Sequence, residues 1–181
     1  MKAVAVCGRS GSGKSSLVAR LSSEYGWDLI SFGDYVRAEL KRSGGEPTRM
    51  QLQALGHTLF RDLGPEGILN AALAACRPST EVHLIDGIRH VSVWEAVRTK
   101  YEASVLLFLD IPEEERYRRY VRRRGDEGVK TYESFHETDL HPIEQGIDPL
   151  RAIADLVIGG DEPEESVLAH VRITLQQRDV L

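Results

Sequence analysis

The octapeptide GRSGSGKS, Gly8 to Ser15, constrains the fold more than any other part of this 181-residue chain. It fits the spacing G-x-x-x-x-G-K-S, follows the apolar run AVAVC and leads into the helical pattern SSLVARLSSEY. In that context it is a phosphate-binding loop. Its glycines let successive backbone N–H groups curl toward phosphate oxygens, and the following helix adds the positive end of its dipole. Gly8, Arg9, Ser10, Gly11, Ser12, Gly13, Lys14, Ser15 and Ser16 form the expected nucleotide cradle. Lys14 would neutralise the β- and γ-phosphates of ATP, and the Ser15 hydroxyl would ligate Mg²⁺.

The rest of the chain alternates in the same manner. Apolar runs at 3–7, 27–32, 82–85, 104–109 and 156–158 read as short strands, and most lack the polar alternation of a half-exposed sheet. Helical patterns lie between them, at about 14–24, 34–43, 48–62, 66–76, 91–100, 112–123 and 162–177. Strand–helix alternation of this kind predicts a single α/β domain over residues 1–181 with a parallel sheet. Two excursions exceed a simple crossover: residues 34–80, with about three helices, and residues 122–148, charged, glycine-containing and without strong periodicity. Long excursions of this kind are usually binding loops or lids.

Composition excludes several classes. A formal net charge of −5 and a pI near 5.7 argue against nucleic acid as a partner. Cys7 and Cys76 lie far apart and suggest neither a zinc site nor a disulfide framework. No apolar stretch reaches the roughly 18 residues of a membrane span. The start MKAVAVCG is too short for a signal peptide, so a cytoplasmic protein is expected. The sequence leaves the oligomeric state open.

The remaining charged residues suggest what is done with the nucleotide. Two strands end in acids, Asp86 and Asp110, and Asp86 is the preferred magnesium partner of Ser15 at the carboxyl end of the sheet. Asp34 reads as the N-cap of the helix after the second strand. Arg37, one turn later, would then sit where the helix dipole disfavours a cation, which points to an external anion or to pairing with Glu39 or Glu46. Arg89 follows Asp86 by three residues, and Arg116, Arg119 and Arg123 share one helical face. Such cations suit phosphoryl transfer, which depends on positioning and on neutralising spread negative charge. The Asn-Lys-x-Asp loop that reads guanine in GTPase switches is absent, since the single asparagine is Asn70, followed by Ala71. The chain is also short for the sensing and oligomerisation parts of a motor or AAA-type ATPase.

The phosphate loop, ISFGDYVR, LIDGIR and LFLDIPEEERYRRYVRRR, in that order, resemble the P-loop nucleoside monophosphate kinases, and more closely the adenylate kinase-like and dephospho-CoA kinase-like proteins. The likeness implies a three-layer P-loop fold with a five-stranded parallel sheet in the order 2-3-1-4-5, an acceptor-binding insertion over 34–80 and a lid over 122–148. It also implies residue roles: Asp34, Arg37 and Arg89 at the acceptor, with Lys14, Asp86, Arg89, Arg119 and Arg123 serving transfer. The expected activity is an ATP- and Mg²⁺-dependent phosphotransferase acting on a phosphate-bearing acceptor, a nucleoside monophosphate foremost. A kinase of a hydroxyl acceptor such as dephospho-CoA, with Asp34 as general base, and a nucleotide-binding regulatory ATPase are the alternatives.

Overall fold

The computed structural model describes residues 1–45, 48–124, 131–140, 142–160 and 162–181. Strand β1 (Lys2–Gly8) is the centre of a five-stranded, all-parallel sheet in the order β2-β3-β1-β4-β5. Its other strands are β2 (Asp28–Ser31), β3 (Val82–Asp86), β4 (Ala103–Asp110) and β5 (Leu156–Gly159). Both the fold class and the strand order are those expected.

Residues Ala3 to Cys7 of β1 are almost wholly buried, and their side chains alternate between two cores. Ala3, Ala5 and Cys7 join Ile85, Leu106 and Phe108 on the face covered by α2 (Phe32–Arg42), α3 (Arg49–Cys76), α4 (Val91–Lys100) and α8 (Asp148–Ala152). Val4 and Val6 join Leu84 and Leu107 on the face covered by α1 (Lys14–Tyr25) and α9 (Glu164–Gln177). Because both faces are apolar, no strand needs polar alternation, which accounts for the continuous runs in the sequence. The register places Val6 beside Asp86, Ser31 beside Asp86 and Gly8 beside Leu109, so the carboxyl ends of β1, β2, β3 and β4 meet at one edge.

Between β2 and β3 the chain forms α2 and then α3, whose helical path breaks at Gly64 (φ 69, ψ 178) before Pro65. This break divides α3 where the sequence pattern separates 48–62 from 66–76. The stretch after α5 (Glu113–Arg124) departs from the expectation of an irregular segment. It contains α6 (Tyr132–Asp139), α7 (Pro142–Gln145) and α8. Helices of four to eight residues are too short to leave a legible period.

At the amino-terminal end of β3, buried His83 shares a hydrogen bond of 2.7 Å with the Tyr101 hydroxyl. Burial lowers the pKa of His83 and pushes Tyr101 up to about 12. The unfolded chain therefore binds a proton at His83 that the folded chain resists, so this contribution to stability is present above pH 6.5 and is lost on acidification below it. Thermal melts should show the transition falling between pH 7.5 and 5.5, with a shallower slope in His83→Asn. An equal slope in both proteins would remove His83 as its source.

Candidate active site

The loop after β1 holds its shape through backbone conformations that side chains resist. Gly11 and Gly13 have φ of 80° and 100°, and a Cβ on Gly11 would lie 2.6 Å from the Arg116 carbonyl oxygen. Gly13 caps α1 without a side-chain acceptor, which leaves the first-turn N–H groups facing the loop. Lys14 donates from Nζ to the carbonyls of Gly8 (2.7 Å) and Arg9 (2.9 Å). Burial lowers its pKa, and nearby Asp86 works in the opposite direction.

A cleft of about 450 Å³ opens from this loop toward α2, α3 and α7. It brings together Lys14, Ser15, Asp86, Arg37 and Arg89. Asp86 is largely withdrawn from solvent; burial raises its pKa, Lys14 and Arg89 pull the other way, and its Oδ1 has no hydrogen-bond partner. A buried carboxylate oxygen without a partner, sharing a cleft with the Ser15 hydroxyl, fits a hard cation completed by water and phosphate oxygens.

The two arginines of the cleft each have an acid of their own, which changes the sequence-based picture. Helix α2 begins at Phe32 and its N-cap is Ser31, whose Oγ accepts from the Asp34 N–H at 3.1 Å. Asp34 is thus the third residue of the helix, and its Oδ1 accepts from Arg37 Nε at 3.2 Å and from Nη2 as well. Arg37 lies beyond the first turn, so the dipole conflict does not arise. Of the acids expected as alternatives, Glu39 binds Arg42 at 2.9 Å and Glu46 lies outside the described residues. Arg89 forms an ion pair with Glu144 of α7, which is 1% exposed. The mutual repulsion expected of two unpaired guanidiniums is relieved by these carboxylates.

The far wall of the cleft is aromatic and apolar. Phe60 and His90 stack with centroids 4.1 Å apart at 13°, beside Val36, Leu52 and Val93. Buried Gln53 Nε2 and His90 Nε2 lack hydrogen-bond partners there. Sequence reasoning missed Gln53, Phe60, His90 and Glu144. His90 adjoins the IDGIR segment, but nothing in the pattern of residues 48–62 marks Gln53 or Phe60.

On the other side of the loop a second cleft, about 370 Å³, is lined by Gly13, Ser16, Leu109, Arg119, Gly160 and Leu168, among others. Arg119 crosses its mouth, donating to the carbonyls of Ser12 (3.2 Å) and Gly160 (3.4 Å) and to Glu115 (2.9 Å). The Arg123 side chain, with Gly125 and Gly128 of the expected lid, lies outside the described residues. Asp110 binds Arg151 on the surface, leaving Asp86 as the strand-end acid of the cleft.

Arg116 does not join Arg119 in facing this cleft. It is 4% exposed and donates to the carbonyls of Ile111 (3.0 Å) and Ser10 (3.1 Å) and to both oxygens of Asp139 (2.6 and 2.7 Å). Arg9 belongs to the phosphate loop by backbone only, since its side chain turns outward to Asp139 (2.9 Å) and Asp148 (2.6 and 3.0 Å). Burial alone would raise the pKa of Asp139, but Arg116 and Arg9 bring it below the usual carboxylate range. Helices α6 and α8 are thereby pinned to the phosphate loop. Asp139→Asn should leave Arg116 buried without its counter-charge and cost about 3–5 kcal/mol. Urea unfolding measures this, and a loss below about 1 kcal/mol would show the pair to be dispensable.

Comparison with known proteins agrees with this geometry. A family model described as "AAA domain" matches residues 7–135. The UPF0200 protein of Hyperthermus butylicus is 31% identical over 159 residues, 86% of this chain and 83% of its own. UPF0200 protein TK1334 of Thermococcus kodakarensis is 28% identical over 174 residues, 93% and 94% of the two chains. Among solved structures, shikimate kinase from Acinetobacter baumannii in complex with shikimate superimposes with a TM-score of 0.61 at 17% identity, covering 99% of this chain and 94% of that one. A gluconokinase from Sinorhizobium meliloti 1021 gives 0.62 at 19%, covering 97% and 92%. At such identities these two establish the P-loop kinase fold alone. With its phosphate loop, its strand order and relatives matched over most of their length, the chain belongs to the UPF0200 family and carries a domain of the AAA-domain type with the P-loop kinase fold.

Proposed function

We propose that this protein transfers the γ-phosphate of ATP to a small phosphate-bearing acceptor, a nucleoside monophosphate before other candidates. The observation that carries the reading is the pair of clefts on either side of one phosphate loop, with Gly13 lining both and Lys14 lining the one that holds Arg37 and Arg89. The cleft crossed by Arg119 takes the donor nucleotide, and its phosphates run over Gly11 to Ser16 toward the other cleft. There Arg37 and Arg89 take the acceptor's phosphate, exchanging Asp34 and Glu144 for it. The Phe60–His90 stack offers a planar wall for a base, and Gln53 Nε2 and His90 Nε2 offer polar atoms that a base edge satisfies.

Ser15 and Asp86 would hold Mg²⁺, which when bound neutralises charge on the transferring phosphate. Lys14 adds a fixed positive charge beside the same oxygens, and Arg119, with Arg123, closes the donor side. The lid expected over residues 122–148 would exclude water so that transfer outcompetes hydrolysis, with α6 already pinned to the phosphate loop through Asp139.

A second reading, a hydroxyl acceptor, is favoured by one observation. The Asp34 carboxylate, bound to Arg37 of the cleft, would take a proton from a hydroxyl, a role no phosphate acceptor requires. The two structural neighbours named above are a shikimate kinase and a gluconokinase, whose names point to acceptors of that class.

An ADP-release assay across nucleoside monophosphates, dephospho-CoA and hydroxy acids separates these readings. Stimulation by monophosphates is expected; stimulation only by hydroxyl acceptors moves the assignment to the second reading, and none at all points to a regulatory ATPase. Lys14→Ala should abolish turnover in a folded protein, and near-normal turnover would refute the cradle's role. Arg37→Ala and Arg89→Lys should each lose about 1.5–3 kcal/mol, roughly ten- to hundredfold in kcat/KM for acceptor, with little change in the KM for ATP. Loss confined to ATP would place these arginines on the donor.

A further inference from the structure

Glu144 comes from α7, a short turn of chain far in sequence from everything it touches in the cleft. Its carboxylate is 1% exposed, pairs with Arg89 and lines the cleft with Lys14, Ser15 and Asp86. The position is built rather than incidental. Gly146 packs so closely on the next segment that a Cβ there would lie 2.5 Å from the Arg89 carbonyl oxygen and 3.0 Å from His90 Nδ1. Ile147 and Leu150, 2% and 0% exposed, sink into the core beside it. The backbone carrying Glu144 is therefore anchored on both the Arg89–His90 segment and the apolar core.

We propose that Glu144 is a specificity-determining residue: its buried carboxylate occupies Arg89, so that only an acceptor group that outcompetes a carboxylate, a phosphate dianion, gains the site. This rests on the reading of Arg89 as an acceptor ligand. A free carboxylate brings one charge and two oxygens, the same as Glu144, while Glu144 is already held in place and loses no translational freedom in binding. A phosphate brings nearly twice the charge and three acceptor oxygens. With Asp86 in the same cleft, Glu144 also surrounds an incoming anion with negative charge that only a strong guanidinium contact overcomes. The cleft thereby rejects carboxylate-bearing small molecules that would otherwise suit a pair of arginines.

The test uses the full chain saturated with Mg²⁺ and a non-hydrolysable ATP analogue, so that the phosphate loop is filled. Inorganic phosphate and acetate are then titrated calorimetrically at pH 8. Wild type should bind phosphate and give no heat with acetate. Glu144→Gln should bind phosphate about tenfold more tightly and bind acetate measurably, and the Glu144→Gln, Arg89→Ala double variant should lose both gains. Unchanged or weaker phosphate binding in Glu144→Gln, or a gain that survives without Arg89, overturns the proposal. Should Glu144→Gln fail to fold, hydrogen exchange of wild type decides: phosphate should reduce protection over residues 142–152, and unchanged protection overturns the proposal. Because these readouts need no turnover, an absence of kinase activity refutes the proposed function without touching Glu144. Kinase activity without the gain refutes only the role of Glu144.

Discussion

Everything in the site follows from the pairing of β1 on both edges. A strand hydrogen-bonded to β3 and β4 and buried on both faces cannot shift by one residue without turning its side chains into the opposite cores. That rigidity fixes where Gly8 leaves the sheet, and hence where the loop's N–H groups and Lys14 stand. The same register brings Asp86 and Ser31 to the loop's edge, so the strand-end acid of the cleft and the cap of α2 are positioned by the ladder rather than by their own neighbours.

Around this fixed point five arginines are held by acids rather than left to solvent. Arg9 and Arg116 share Asp139, Arg37 has Asp34, Arg89 has Glu144 and Arg119 has Glu115. These pairs differ in kind. Arg37 and Asp34 are more than half exposed, and water and salt weaken such a pair, so it exchanges partners readily. Arg116 and Asp139 are 4% exposed, and separating them exposes an uncompensated charge to a dry interior. The first is suited to handing over to a ligand, the second to fastening α6 to the phosphate loop.

The sheet was legible because its signals are local. Five apolar runs, each followed by helix, and one complete phosphate-loop motif lead to the strand order by way of the family likeness. Asp86 could be read from its place at a strand end, and the Ser31–Asp34 spacing is itself a capping signal, with Ser31 rather than Asp34 as the cap. What escaped was non-local. Asp139 meets Arg9 across 130 residues, and Glu144 meets Arg89 across the chain of α4, β4, α5 and α6. A short helix gives no periodicity and a carboxylate gives no hint of which guanidinium it will face, so neither partner is visible until the chain is folded.

The interruption of α3 at Gly64 has a bearing on how such a protein diversifies. The segment before it, Arg49 to Leu63, supplies Leu52, Gln53 and Phe60 to the cleft, while the segment after it supplies Leu69 and Ala72 to the core and Ile68 to both. A backbone conformation natural only to glycine thus separates a stretch turned mainly to the cleft from one turned mainly to the sheet. Substitutions in the outer arm can redraw the shape and polarity of the acceptor wall while the inner arm, the strands and the phosphate loop keep their packing. One chain can in this way exchange its clientele without relearning how to fold.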